Sequence, residues 1–157
     1  MDAGKRRKLP ASGELAVWRA HHEAVEIARS RIESRMRRES GLSDGDYRVL
    51  IALSEAEGKS MRSSQLAAHL EWERSRVSGQ LGRMEKRGLL RREPSPEDAR
   101  GSLVVLTEEG ARAYRGSTIP HLAAIKEIFI DAFTPEQLAS LEDAAAALRT
   151  HLGMPAR

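Results

Sequence analysis

Apolar positions recur at helical spacing through most of this chain, and the longest such pattern lies near its N-terminus. Between residues 13 and 40 a single narrow stripe repeats at intervals of three, four and seven positions, formed by Leu15, Trp18, His22, Val25, Ile32 and Met36. That spacing predicts one long helix that ends at Gly41. Because so narrow a stripe has to be covered, we expect a partner helix to pack against it.

Three shorter helices are predicted next. The first follows Ser43, which can cap a helix N-terminus, and it ends at Glu57-Gly58. The second is short and starts at residue 63 or 64. The third starts near Glu73 and has Gly88 at its C-terminal cap position.

The apolar period then changes from that of a helix to that of a strand. Residues 89–93 and 102–106 are predicted to form two strands. The segment from Pro94 to Gly101 between them is rich in turn residues and too long for a tight hairpin. The sequence therefore predicts a two-stranded ribbon with a protruding loop.

Two helices complete the chain. Thr107 is the candidate N-cap of the first, which we expect to be kinked or interrupted at Gly116-Ser117 or Pro120. The last helix opens at Thr134 with an N-cap, a first-turn proline and a glutamine at the capping-box position. The order of elements predicts a mainly α fold with a small β-ribbon, a winged helix-turn-helix flanked by long amphipathic helices.

Composition excludes several kinds of chemistry. The 157 residues are 40% apolar and 31% charged, which is enough for a folded core. The chain has no cysteine, so disulfides, thiolate catalysis and cysteine-based redox sensing are excluded. No segment reaches the roughly 20 apolar residues of a membrane span. No apolar region follows the basic run at residues 5–8, so we expect a cytoplasmic protein.

Positive charge is concentrated in one segment. The net charge of the whole chain is +3, but residues 74–92 contain seven basic residues and one acidic residue, a local charge of +6. Residues 107–157 carry five basic and seven acidic residues. A concentrated basic element is typical of a nucleic-acid contact. The alternative is a solvated helix face, and charge alone does not separate the two.

In a helix-turn-helix the second helix lies in the major groove, and here that helix is the one predicted over residues 74–87. Val77, Leu81 and Met84 define its buried face. The forked guanidinium group of arginine matches guanine edges or phosphates. The first helix of the motif, here called the bracing helix, is the short one that starts at residue 63 or 64, and the backbone amides at its N-terminus favour a phosphate. The residues that we predict to contact DNA are Ser75, Arg76, Ser78, Gly79 and Arg83 on this reading helix, and Ser64 and Gln65 on the bracing helix.

Two glycines interrupt the reading helix. Gly79 and Gly82 each cost a helix about 1 kcal/mol relative to alanine. Glycines in a helix permit close packing, either against another helix or against an external partner. Their position away from the apolar stripe favours the external partner.

The loop of the ribbon carries one cation, Arg100. A lone arginine at such a tip can enter a minor groove, where a narrow groove concentrates negative potential. From these residues alone, a solvated turn arginine is the favoured interpretation of Arg100, and a plain turn residue is the favoured interpretation of Asp98.

The chain resembles the MarR family of transcriptional regulators from about residue 14 to residue 152. The resemblance rests on residues 42–53 (LSDGDYRVLIAL), 75–78 (SRVS) and 88–92 (GLLRR), and most strongly on residues 98–110 (DARGSLVVLTEEG). The last of these is similar to the wing of that family and the helix start that follows it.

The resemblance implies a homodimer built from the first helix and the last two, with Arg100 on the wing and Asp98 orienting the wing by pairing with an arginine, for which Arg76 is the candidate. The implied organisation is a disordered basic arm (1–12), an N-terminal dimerisation helix (13–40), a winged helix-turn-helix DNA-binding domain (41–106) and C-terminal dimerisation helices (107–157).

Members of the family often bind small phenolic or other anionic ligands between the dimer helices and the reading domain. The candidate pocket residues here are Trp18, His22, Tyr47, Arg48 and His121. Packing in the core or in the dimer is the favoured role of Trp18 and His22, because both lie on an apolar stripe, and no ligand site is assigned.

Two other readings stay open. One is a metal-responsive regulator of the same fold that uses His21, His22, His69, His121 or His151, although no two of these have the i,i+4 spacing that places imidazoles on one helix face. The other is a winged-helix protein-interaction module. An enzyme is not expected, because the chain has neither a nucleotide-binding glycine loop nor a recognisable nucleophile–base motif.

The sequence therefore predicts a homodimeric regulator that binds double-stranded DNA at a pseudo-palindromic operator. We expect a repressor that a small-molecule effector releases. No cofactor, metal or membrane partner is expected.

Overall fold

A computed structural model describes the backbone of residues 9–95 and 98–154, and the side chains of those residues other than 95 and 98–101. Within these residues the chain forms six α-helices and three β-strands. In chain order they are α1 (Ser12–Ser40), α2 (Asp44–Glu55), β1 (Ser60–Arg62), α3 (Ser63–Leu70), α4 (Arg74–Lys86), β2 (Leu90–Ser95), β3 (Asp98–Leu106), α5 (Glu108–Ile128) and α6 (Pro135–His151). Residues 1–8, most of the predicted basic arm (1–12), lie outside the described part.

The helices begin and end at local capping signals. Gly41 follows α1 with a φ of 69°, a backbone conformation that glycine adopts without strain. Ser43 caps α2 as predicted, since its hydroxyl accepts the N–H of Asp46 while the Asp46 carboxylate accepts the N–H of Ser43. Thr107 and Thr134 likewise accept backbone N–H groups at the starts of α5 and α6.

α2 ends slightly before its predicted boundary, and the predicted interruption of α5 was wrong, whereas a kink in that helix stays a prediction. α2 ends at Glu55, and Glu57-Gly58 lie in a separate 3-10 turn. α5 continues unbroken past Gly116-Ser117 and Pro120. A proline inside a helix costs about 3 kcal/mol. α5 packs against α1 and α2 and buries Ser117 and Ala124, and this tertiary packing offsets the cost.

The sheet has three strands where the sequence predicts two. β3 pairs antiparallel with β1 on one side and with β2 on the other. β1 has three residues, too few to show the alternation by which a strand is recognised. The ribbon of β2 and β3 also reaches beyond its predicted ends, because backbone pairing continues past Pro94 into the segment predicted as loop.

One hydrophobic core anchors the helix-turn-helix to the sheet. It contains Leu50 and Leu53 of α2, Leu66 of α3, and buried residues of the two longer strands, and it also receives the apolar face of α4. Because Val77, Leu81 and Met84 are buried in this core, the opposite face of α4 is left to solvent.

The terminal helices are poorly covered within one chain. Met36 is the single buried residue of α1, and α6 has none. Among the described residues, the exposed large apolar side chains all lie outside residues 41–106: Leu9, Val17, Trp18, Val25, Ile27, Ile119, Leu122, Ile130, Leu148, Leu152 and Met154. No helix of the described residues has the length and apolarity that a membrane span requires.

Candidate nucleic-acid interface

The predicted reading helix corresponds to α4, which has one buried and one exposed face. Val77, Leu81 and Met84 are buried as predicted, and Gln80, for which no burial was predicted, is buried with them. The predicted contact residues on these two helices lie on solvent-accessible faces: Ser75, Arg76, Ser78, Gly79 and Arg83 on α4, and Ser64 and Gln65 in the first turn of α3. Their contact with DNA stays a prediction.

At Gly79 and Gly82 no side chain projects from α4 toward solvent. A methyl group built on Gly82 meets no described atom within 4 Å. A methyl group on Gly79 meets Nη1 of Arg83, at 3.6 Å, and no described atom of another element. Packing against another helix of this chain therefore explains neither glycine.

Arg76 is stacked on Trp72, a buried residue in the turn between α3 and α4. The guanidinium carbon of Arg76 lies 4.1 Å from the centre of the indole ring, within the range of a cation–π contact. Arg48 of α2 contacts the same ring at 5.3 Å and donates to the carbonyl of Leu70. The buried Trp72 ring thus lies beneath the Arg76 guanidinium and helps to hold it at the surface of α4.

Arg83 is connected to α2 through two buried polar side chains. Its Nη2 donates to Oε1 of Gln80 over 2.6 Å, and Nε2 of Gln80 donates to Oδ1 of Asp46 over 2.7 Å. Asp46 and Gln80 are 3% and 6% exposed. α2 and α4 approach closely at this point, since a methyl group on Gly45 would lie 3.1 Å from the Gln80 amide.

This chain of hydrogen bonds was not predicted from the sequence. The available signal was the position of Gln80, three residues after Val77 and four before Met84, which places a polar residue on the apolar stripe. Buried polar groups require partners, so a glutamine on that stripe indicates a specific hydrogen bond. The identity of Asp46 as its partner depends on tertiary contact between residues 34 positions apart.

Several cations of the basic segment are neutralised within the fold. Arg87 donates to Asp46 and to the carbonyl of Gly41, at 2.7 and 2.9 Å. Arg92 pairs with Glu85, which lowers the pKa of that carboxyl group, and Arg91 pairs with Glu93. In the part of the chain that the structure describes, the cations of residues 74–92 without a carboxylate partner are Arg74, Arg76, Arg83 and Lys86. All four lie on α4, so the positive charge that is not neutralised within the fold covers a shorter part of the chain than residues 74–92.

The predicted wing residues, Asp98 and Arg100, have side chains outside the described residues. Their backbone belongs to β3, within the ribbon that follows α4. Arg76, the candidate partner of Asp98, lies over Trp72. The pairing of Asp98 with Arg76 and the contact of Arg100 with DNA stay predictions.

A cleft of about 310 Å³ lies between α1, α2 and α5. Its lining residues include Val25 and Met36 of α1, Asp44 of α2, and His121 and Phe129 at the α5 side. Of the five candidate pocket residues, His121 lines this cleft. Trp18 and His22 instead stack on each other on the exposed side of α1.

The surroundings of His121 disfavour its charged form. Its ring packs on Tyr47 with the ring centres 4.4 Å apart. Burial lowers the pKa of His121 below its ordinary 6.5, and the nearby Asp44 carboxylate opposes this shift less strongly. Burial also raises the pKa of the Tyr47 hydroxyl.

The five histidines do not lie together in one cluster. His121 packs against Tyr47 with the two rings tilted by 49°, whereas His21, His22, His69 and His151 are exposed. Among the described residues, no three His, Asp or Glu side chains form a group that could hold a metal ion.

These elements define the class of protein. The bracing helix α3, the exposed reading helix α4 and the ribbon of β2 and β3 form a winged helix-turn-helix, set between long helices with uncovered apolar faces. Comparison with known proteins gives the family. A sequence model described as MarR family matches residues 40–101.

Solved structures resemble almost the whole chain. AbsC, a MarR family transcriptional regulator from Streptomyces coelicolor, is 36% identical, with 92% of this chain and 97% of that chain covered and a TM-score of 0.80. Sco3205, a MarR family regulator of the same organism solved in complex with DNA, is 30% identical over 95% of this chain and 93% of its own, with a TM-score of 0.84. The HTH-type transcriptional regulator PrsX of Escherichia coli is 29% identical over 89 residues, and this chain spans about half of its length, 54%.

The chain belongs to the MarR family of transcriptional regulators, which are DNA-binding regulators and not enzymes.

Proposed function

We propose that this chain is a homodimeric regulator of transcription that binds a pseudo-palindromic site on double-stranded DNA. The observation that carries the proposal is the exposed face of α4, where two glycines lie among cations that have no carboxylate partner within the described residues. A face built in this way can enter a major groove closely and place guanidinium groups against base edges and phosphates.

The predicted contact residues of α3 and α4 each have a role in the proposal. Arg76 and Arg83 are the candidate base readers, since their forked donors match guanine O6 and N7. Ser75 and Ser78 supply hydroxyl groups to bases or phosphates, and Gly79 permits close approach of the helix backbone. Ser64 and Gln65 place the N-terminus of α3 against a phosphate, which helix amides favour.

The wing completes the proposed interface. Arg100 enters the adjacent minor groove, and Asp98 orients the wing. The order of elements supports this role, because the ribbon of β2 and β3 follows α4 directly and therefore extends from the end of the reading helix.

A homodimer accounts for the uncovered faces of the terminal helices. Large apolar side chains such as Trp18, Ile119 and Leu148 are 61%, 78% and 58% exposed in the single chain. A concentration of exposed apolar side chains on the terminal helices is what an interface would cover. A two-fold dimer would present two copies of α4 to half-sites about 10 base pairs apart.

The regulator is proposed to repress, and a small-molecule effector is proposed to release it from DNA. The cleft between α1, α2 and α5 supports the proposal of an effector site, because it lies between the terminal helices and the winged helix-turn-helix domain. A ligand held there would change how far apart the two reading helices of a dimer lie. The affinity of the protein for DNA would then fall by linkage.

Selection of duplexes from a random DNA library tests the proposal most directly. We expect the wild-type protein to enrich an inverted repeat with half-sites about one helical turn apart. Binding should weaken with salt, with a log–log slope of about −0.9 for each phosphate neutralised. Selection of no duplex, together with salt-insensitive capture of a protein, would instead support the interaction module.

Single variants then test the contacts. Arg76→Ala should lower discrimination at one position of each half-site by about 1–3 kcal/mol. Arg100→Ala should weaken binding according to the width of the minor groove. Arg112→Ala on α5, which also removes an exposed guanidinium, is the matched control and should bind as the wild type does. Unchanged binding by Arg76→Ala would remove that residue from the readers.

A further inference from the structure

We propose that Asp46 and Gln80 position Arg83 for base reading, so that the base preference of this residue is set by two buried side chains that touch no DNA. The inference rests on the proposed function, because it names the residues that would determine the specificity of the α4 face.

Gln80 links a buried carboxylate to an exposed guanidinium. Its Nε2 donates to Asp46 Oδ1 over 2.7 Å, and its Oε1 accepts from Arg83 Nη2 over 2.6 Å. A carboxylate only accepts and a guanidinium only donates, so the two ends of the Gln80 amide cannot be exchanged without losing both bonds. The amide therefore has one orientation, and Arg83 has a fixed acceptor beside α4.

Asp46 is itself fixed by other contacts. Its Oδ2 accepts from the backbone N–H of Ser43 at 2.9 Å and from Arg87 Nη1 at 2.7 Å. The carboxylate thereby belongs at once to the N-terminal cap of α2 and to the C-terminal end of α4. Arg83 is consequently connected through Gln80 to the junction of the two helices, and its position is tied to the rigid part of the domain.

The bond to Gln80 leaves Arg83 able to read a base. The bond to Gln80 is donated by Nη2 of Arg83. Nη1 of Arg83 lies along the helix surface, 3.6 Å from the position of a methyl group built on Gly79. The side chain thus runs back toward the N-terminal part of α4, the part that contacts base edges in helix-turn-helix complexes. A guanidinium held in one place loses less conformational entropy on binding than a free one.

The donor and acceptor pattern provides a rescue experiment. Gln80→Glu alone sets a second carboxylate against Asp46. Asp46→Asn alone turns an N–H₂ group toward the N–H₂ group of Gln80. The double variant, Asp46→Asn with Gln80→Glu, reverses the direction of the central bond, because the new amide at position 46 donates to the new carboxylate at position 80. The carbonyl oxygen of that amide still accepts from Ser43 and Arg87, and the carboxylate still accepts from Arg83.

Base preference is measured for each variant by selection from the duplex library that defines the wild-type site. We expect each single variant, and Gln80→Met, to lose roughly tenfold of the discrimination at the position where Arg83→Ala loses it. The double variant should regain most of that discrimination. Gln80→Met should cause no further loss when Arg83 is already alanine.

A measurement without DNA separates this inference from the proposed function. Nitrogen-15 spectra of the free protein should show hindered rotation of the Arg83 guanidinium in the wild type and the double variant, and free rotation in Gln80→Met. Free rotation in the wild type, or full base preference in folded Gln80→Met, would overturn the inference. Failure of the wild type to select any duplex would overturn the proposed function, whatever the Arg83 spectrum shows.

Discussion

The backbone carbonyl of Leu89 occupies the space that a side chain at Gly110 would need. Gly110 is in the first turn of α5, and Leu89 immediately precedes β2. The absence of a side chain at this one position therefore lets α5 begin directly against the start of the ribbon. The junction between the reading domain and the terminal helices depends on it.

We expect Gly110→Ala to destabilise the protein by about 1–3 kcal/mol, because the backbone on one side must move to admit the methyl group. Gly116→Ala on the same helix is the matched control, since a methyl group there meets no described atom within 4 Å. It should stabilise the protein by about 0.5–1 kcal/mol, the cost of a helical glycine. Urea unfolding of the two variants measures both effects, and equal changes would contradict the close contact.

Gly82→Ala separates folding from DNA binding. The methyl group has open space among the described residues, so we expect a gain of about 0.5–1 kcal/mol in the free energy of unfolding. On the proposed interface the same methyl group faces DNA, and affinity for the selected duplex should fall. Gly116→Ala should gain stability and keep full affinity. A Gly82→Ala protein that binds as tightly as the wild type would argue against close approach of α4.

The stacking of Arg76 on Trp72 provides an optical signal. In a Trp18→Phe background, Trp72 is the remaining tryptophan. We expect its fluorescence to change when the selected duplex binds, because Arg76 then shares its charge with the DNA. The change should become much smaller in Arg76→Ala. A titration with identical amplitudes for both proteins would show that DNA does not engage the stacked arginine.

A charge on the uncovered apolar face should prevent dimer formation. We expect Trp18→Glu and Leu148→Glu to sediment as monomers at concentrations at which the wild type is a dimer, because each would bury an unpaired carboxylate in the interface. His69→Glu, on the exposed side of α3, is the control and should remain dimeric. Dimers of wild-type strength in both terminal-helix variants would place the interface elsewhere.

The stability of the fold should depend on pH through His121. Burial lowers the folded-state pKa of His121 below its ordinary 6.5, so the unfolded chain binds the proton more readily. The contribution of His121 to stability is therefore present above pH 6.5 and is lost as the pH falls through the folded-state pKa. Replacing His121 with glutamine should flatten this part of the pH profile of urea unfolding, whereas replacing the exposed His151 should leave it intact. An unchanged profile in His121→Gln would assign the dependence to other groups.

Local signals account for most of the secondary structure that the sequence predicted. Ser43, Thr107 and Thr134 are N-caps in the structure, and Gly41 and Gly88 have positive φ just beyond α1 and α4. These signals act over three or four residues and are therefore visible in the sequence. β1 and the unbroken α5 were missed because each depends on pairing or packing with residues far away in the chain.

The sequence by itself determined the order of the six helices and the two longer strands. It also determined the exposed face of the reading helix, because helical periodicity separates Val77, Leu81 and Met84 from Ser75, Arg76 and Arg83. Tertiary structure alone decided which cations remain available. Arg87 and Arg92 are neutralised by Asp46 and Glu85, and Arg83 receives an acceptor through Gln80. The physical reason is the distance along the chain over which each property is decided. The face that a side chain occupies is set within one turn of its own helix. Whether a charged side chain is paired depends on which distant segment folding places beside it.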